Sequence, residues 1–315
     1  MQPAGDPAER ELIERFANVS ARLSREFGQR AMILPNAEFF PDTYVGDAES
    51  VQRLLSRLQQ HAGMQDMPIQ LALLAPDLEG EVAPSQCGSG GCGPAAVGAS
   101  FQRVVDQGES WQLNVALPEF LHPVALTAEL ARALGLIFLL ETHEPGTPIE
   151  EPLDITSELV AVQLGMGPLL LLGSYIYAKG CGGPRISQVT SLGPSELALA
   201  TALFGAISAT PAKVVLRVLP VTQKEAFDEA WLLVRSNPEL IASLKHSPEL
   251  VALGNFQLEA RRSWLGRWLA PKTVSEESAF LLGERSTAPR PPARKPKSSQ
   301  HDELKSLVND AFDRS

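Results

Sequence analysis

Five residues in the middle of the chain, Ala128-Glu129-Leu130-Ala131-Arg132, have the spacing of a zinc-binding helix without its ligands. In the pattern H-E-x-x-H, positions i and i+4 share one helix face, so two imidazoles converge on one metal. The Glu between them serves as general base toward a metal-bound water. Here the acid remains as Glu129, while Ala128 and Arg132 stand at the two histidine positions. A methyl group cannot bind metal, and a permanent guanidinium cation repels Zn²⁺. A general base without an activated water has little to act on. A plainer reading of the same five residues is an ordinary amphipathic helix. Glu129 and Arg132 would then be a solvated i,i+3 pair worth about 0.3 kcal/mol.

The elements around the pentapeptide must position it. Residues 122–165 read as an apolar helix, a polar turn and a second apolar helix opening with Asp154-Ile155-Thr156-Ser157-Glu158. The two helices are expected over 122–141 and 155–178. Upstream, Leu12, Ile13, Phe16, Val19, Leu23 and Phe27 predict an amphipathic helix over 7–29. AMILP (31–35) reads as a short strand, followed by a loop with aromatic anchors Phe39, Phe40 and Tyr44. Asp47 or Ser50 caps a helix running to about His61. Residues 68–76 read as a strand. Strands near 97–105 and 110–117 flank DQGE, a hairpin turn. Residues 179–191 read as a loop. From Pro194 the pattern is helical to about Ala270, broken near Pro220, Pro238, Pro248 and Gly254. The expected class is α+β, a small sheet followed by a mainly helical bundle.

The order of these segments resembles a bacterial family of zincin-like metallopeptidases. The resemblance rests on Glu38-Phe39-Phe40-Pro41-Asp42, the Gly/Cys loop Cys87–Gly93, the strand SWQLNVAL, the helix bearing Ala128–Arg132, and Ser157-Glu158-Leu159 through Leu164-Gly165. It covers roughly residues 30–236. In that family a second helix supplies an aspartate as third zinc ligand. The resemblance places Glu158 there, one methylene longer. It implies a degenerate site in which Ala128, Glu129, Arg132 and Glu158 are vestigial positions, with no catalytic residue, no metal and no cofactor. With the metal lost, Arg132 is expected to reach inward and pair with Glu158, with Glu129 as second acceptor.

Other residues offer less. His122 and His143 flank the first helix about 30 Å apart at 1.5 Å per residue, too far to rebuild one site. Cys87, Cys92 and Cys181 permit a thiolate site, but no fourth ligand is evident, and loop thiols are the expected role. The glycines at 88, 90, 91 and 93 lead into no Lys-Ser/Thr, as a phosphate loop would need. Trp264 and Trp268 share a helix face near Arg261 and Arg262, suited to packing on the body, or to an acidic partner or membrane surface.

The net charge of −10 argues against bulk nucleic-acid binding. The charge is uneven: residues 284–300 hold five Arg/Lys and one Glu, and 301–315 hold two basic and four acidic residues, leaving residues 1–283 at −12. The N-terminal stretch is a charged helix with no apolar core of a signal peptide, so a cytoplasmic location is expected. Residues 159–178 reach membrane-spanning length, but Gln163 and Pro168 interrupt them and no Lys/Arg cluster precedes them. A buried core helix is the expectation, with no membrane span.

Three parts follow. Residues 1–283 form the α+β domain. Residues 284–300, rich in Pro, Arg, Lys and Ser, form a disordered linker. Residues 301–315 form a docking helix whose apolar face, Leu304, Leu307, Val308, Ala311 and Phe312, would meet a protein partner. The functional expectation is a noncatalytic interaction or scaffold protein. The alternative is a metallohydrolase or other hydrolase with relocated catalytic residues, using Glu129 and Glu158.

Overall fold

An unbroken buried run, Ala128 to Leu139, lies on one helix, α3 (Pro123–Glu141). An apolar helix with no wet face must sit at the centre of its domain. The computed structural model describes residues 6–27, 30–74, 103–144, 146–180 and 183–259, all within one compact unit, Met1–Trp268.

Two helices precede the sheet. α1 (Pro7–Phe27) buries Leu12, Ile13, Phe16, Val19 and Leu23 along one stripe. α2 (Ala48–Ala62) begins at a capping box, in which Ser50 N donates to Asp47 Oδ1 at 2.7 Å and Asp47 N donates to Ser50 Oγ at 3.1 Å. Hydrogen bonding by Ser50, its backbone N–H first, holds the Asp47 carboxyl below the usual carboxylate range. Phe39 and Phe40 meet the His61 ring edge-on, at centroid distances of 5.2 and 5.9 Å.

The first sheet has three strands, β1 (Ile69–Leu74), β2 (Val104–Asp106) and β3 (Trp111–Ala116), in the order β1-β3-β2. β3 runs parallel to β1, with Ile69 opposite Trp111, and antiparallel to β2, with Val104 opposite Leu113. Trp111, Leu113 and Val115 point into the core while Gln112 and Asn114 are half-exposed, the period-two pattern of a strand with one dry face. The β2–β3 turn is the expected hairpin: Gln107 N donates to Ser110 O at 2.9 Å, and Gly108 takes a φ of +85°. Trp111 Nε1 donates to Glu141 Oε1 at 2.5 Å, tying β3 to the end of α3.

The second apolar helix differs from expectation. It runs as α4 (Leu153–Ala161), a π turn (Val162–Met166) and α5 (Gly167–Gly173), then stops. Gly165 sits in the π turn at φ +93°, and a side chain there would collide with the Ala31 carbonyl. Ile33 N donates to Gly165 O at 2.9 Å. The segment expected as a strand at 31–35 is therefore irregular backbone, with Met32, Ile33 and Leu34 buried against this opened turn. After α5 the chain forms a hairpin, β4 (Ile176–Gly180) and β5 (Gly183–Ser187), where a helix end and a loop were expected. The β-branched and aromatic residues Ile176, Tyr177 and Ile186 suit strands, and the glycines at 180 and 183 bracket the turn.

Five helices complete the bundle: α6 (Pro194–Ile207), α7 (Ala212–Leu216), α8 (Val221–Ser236), α9 (Pro238–His246) and α10 (Pro248–Ala252). Proline opens α6, α9 and α10 where its missing N–H has no helical partner to lose. Among the described residues the last helix is α10: the expected break near Gly254 is present, since Leu253–Glu259 are not helical and Arg10 Nη2 donates to Gly254 O at 2.5 Å, and residues 260–270 lie outside the described residues. α3 packs on α4 and α5, α6 on α8, and α1 on α10. Among the described residues, two stretches are long and apolar enough to cross a membrane, Pro123–Glu141 and Leu153–Gly173, and 72% and 89% of their most apolar windows is buried inside the protein. They are the core helices of this α+β fold. The linker 284–300, the helix 301–315, Trp264, Trp268 and the three cysteines lie outside the described residues.

Candidate functional site

α3 and α4 pack so closely that the second helix presents its first turns to the face carrying residues 128–132. Gly135 makes this approach possible, because an added Cβ would meet the Ser157 carbonyl and lie 2.8 Å from Ala161 Cβ. Both carboxylates of the sequence reading, Glu129 on α3 and Glu158 on α4, therefore face one guanidinium, that of Arg132. All three are buried, with 5%, 0% and 3% exposure. The solvated i,i+3 pair is excluded by that burial.

Arg132 distributes its nitrogens in a fork. Nε lies 2.8 Å from Glu158 Oε1, an ion pair whose angle falls outside hydrogen-bond geometry. Nη1 donates to Val189 O at 2.5 Å and, more weakly, to Glu129 Oε1 at 3.4 Å. Nη2 donates to Ser191 Oγ at 3.2 Å and lies 3.8 Å from Asp154 Oδ1. Glu158 is satisfied from a second direction: Ser191 N donates to Oε1 at 2.6 Å and Leu192 N to Oε2 at 2.9 Å. Glu129 Oε2 has no hydrogen-bond partner among the described residues; its nearest cation is Arg103 Nε at 3.9 Å. Arg103 in turn donates to Glu119 Oε2 at 2.6 Å. Charges thus alternate in a chain, Glu119, Arg103, Glu129, Arg132 and Glu158, from the sheet edge across α3 to α4.

The electrostatics follow from burial. Desolvation pushes the Glu129 carboxyl up to about 7, against the opposing pull of Arg132 and Arg103. Desolvation also raises Glu158, opposed by Arg132 and by the two backbone N–H donors. For Arg103, burial acts to lower the guanidinium, and the Glu119 hydrogen bond and the Glu129 charge outweigh it, leaving it raised.

The residues present do not fit a metal. Ala128 offers no donor atom and is fully buried. A Cβ on Gly173 would collide with Ala128 Cβ and come within 2.8 Å of Val189 Cγ2, so α5 closes tightly over the space a histidine at 128 would need. The Arg132 cation stands where a dication would have to stand between the two acids. Among the described residues, no cluster of three His, Cys, Asp or Glu side chains could hold a metal ion. At the two positions where the zinc pattern needs imidazoles, Ala128 has no donor atom and the Arg132 guanidinium has no lone pair to give. His122 is exposed ahead of α3 and His143 lies past its other end, apart from the cluster.

Sequence reasoning missed Arg103, Glu119, Asp154, Ser191 and the Val189 carbonyl. Asp154 stood in view at the start of the second helix. Arg103 and Glu119 carry no spacing signal, since they meet Glu129 only through the β3–α3 connection. The segment Val189–Leu192 contributes backbone groups, which composition does not reveal. The partner-facing positions Leu304, Leu307, Val308, Ala311 and Phe312 lie outside the described residues. Comparison of the chain with protein-family models, with curated proteins and with solved structures finds no match.

Proposed function

We propose that this chain is a noncatalytic, zincin-like interaction or scaffold protein, in which an internal guanidinium does the electrostatic work of a lost metal. One observation carries the reading: Arg132 sits 2.8 Å from Glu158 and 3.4 Å from Glu129 in a closed interior. A cation there offsets two buried acids and ties α3, α4 and the Val189–Leu192 segment together, as a bridging metal would. A working active site needs an open coordination position and a route for substrate. A cluster buried this deeply supports a structural role.

The raised Glu129 carboxyl favours the second reading, a hydrolase that uses Glu129 and Glu158 as an acid/base pair, because a buried acid near 7 suits proton transfer. Its burial weighs against that reading, since a substrate molecule cannot come within hydrogen-bond reach of a carboxyl that is 5% exposed. In the scaffold reading, the partner is a protein captured by residues 301–315, tethered by the basic linker.

Metal analysis of protein purified without chelator tests the proposal. Substoichiometric zinc is expected, and one zinc per chain would overturn it. Capture from the native cell, with and without residues 284–315, then tests the docking helix: loss of the captured protein on truncation is expected.

A further inference from the structure

The cluster holds more acid than base. Four carboxyls, Glu119, Glu129, Asp154 and Glu158, face two guanidiniums, Arg103 and Arg132. Among the described residues, Arg132 comes from Glu129's own helix, Arg103 from the residue before β2, Glu119 from the turn before α3, and Glu158 and Asp154 from α4, while α5 (Gly167–Gly173) brings no charged side chain. Arg103 is committed to Glu119 at 2.6 Å. Arg132 is committed to Glu158, to the Val189 carbonyl and to Ser191. Glu158 has donors on both oxygens, which favour its charged form. Glu129 has one long hydrogen bond on Oε1 and none on Oε2, where Arg103 Nε stands off at 3.9 Å. Two acids that share one cation in a dry interior do not both ionise cheaply, and the proton goes to the one with fewer donors.

We infer that Glu129 is a proton-binding site: one exchangeable proton on Oε2 completes the charge balance of the Glu129–Arg132–Glu158 cluster and leaves Arg132 free to hold the Val189–Leu192 segment. This goes beyond the scaffold reading and does not depend on it. Loss of the proton places a second full charge beside Nη1, which now serves the Val189 carbonyl at 2.5 Å. Ionised Glu129 then competes for that nitrogen and loosens the link between β5 and α6. The sign follows from linkage. The folded carboxyl titrates near 7 against an ordinary 4.5. The stabilisation is therefore fully present below the ordinary value and lost as pH rises through about 7.

Glu129→Gln fixes the neutral form at nearly constant shape. Unfolding equilibria of wild type and E129Q are compared from pH 4.5 to 8. The wild-type unfolding constant should rise relative to that of E129Q across this range, by on the order of a hundredfold. Amide exchange at Ser191 and Leu192 should accelerate with pH beyond its intrinsic rate in wild type and not in E129Q. Parallel stability curves would overturn the inference. If E129Q does not fold, ¹³C NMR titration of the wild-type Glu129 carboxyl decides: a midpoint near 7 supports the proton site, and one near 4.5 removes it.

Discussion

Truncating Arg132 to alanine removes the cation on which the cluster depends. The variant loses the ion pairs at 2.8 and 3.4 Å and the hydrogen bonds to Val189 O and Ser191 Oγ. Deleting one partner of a buried pair costs about 3–5 kcal/mol, mostly through the stranded opposite charge. Two features lower that cost here. Glu158 keeps its backbone donors from Ser191 and Leu192, and both acids can escape by taking up protons. The net loss at pH 7 is therefore about 2–4 kcal/mol. Urea unfolding followed by circular dichroism measures it directly. In a thermal scan a loss near 3 kcal/mol lowers the midpoint by about 6–12 °C for a domain of this size. The penalty should shrink at pH 5, where protonation relieves the stranded carboxyls. Arg132→Lys keeps the charge but cannot serve Glu158, Val189 and Ser191 at once, so it should fall between wild type and alanine. A loss below about 0.5 kcal/mol at pH 7 would refute the reasoning, because it would place Arg132 among solvated surface pairs.

Three further outcomes are expected. Gly135→Ala should destabilise by about 1–3 kcal/mol in chemical denaturation, because the new methyl meets the Ser157 carbonyl and Ala161. A loss near zero would mean that α3 and α4 are less tightly apposed. The double variant Ala128→His, Arg132→His should gain no stoichiometric zinc after dialysis against the metal, because Gly173 and Val189 occupy the space a histidine at 128 requires; one bound zinc would show that α5 yields. Deleting residues 301–315 should leave the thermal midpoint nearly unchanged while abolishing partner capture. A drop of several degrees would instead assign that helix to the body's core.

The α+β class and most helices were legible because their signals are local. The apolar stripe of α1, the Asp47 cap and the prolines at 194, 238 and 248 each act within a turn or two of their own position. The pairing of Arg132 with Glu158, seen at 2.8 Å, was expected only through the zincin-like resemblance, which put both residues at ligand positions of one lost metal. What failed was set by distant neighbours. Residues 31–35 have strand composition, yet their backbone partner is the π turn, which no periodicity announces. The helix expected to reach 178 ends at Gly173, where Val189 and Ala128 leave no room for a side chain. The parallel pairing of β1 with β3 joins strands separated by a long connection, which neither strand's own pattern discloses. Arg103 is invisible for the same reason, since its role depends on where the sheet edge delivers it.

The hydrogen bond from Ile33 to Gly165 sets a schedule for synthesis. α1 and the segment after it have their apolar stripe ready when they leave the ribosome, but the surfaces that receive them come later, residues 153–173 for both and α10 as well for α1. At ~5–20 residues per second, the wait is on the order of ten seconds. During that interval Phe16, Ile33 and Leu34 have no native cover, and α3 emerges as an apolar rod before its neighbour exists. A nascent chain in that state is the form a chaperone would hold, and slowing translation just after residue 140 should raise its aggregation more than slowing it after residue 200.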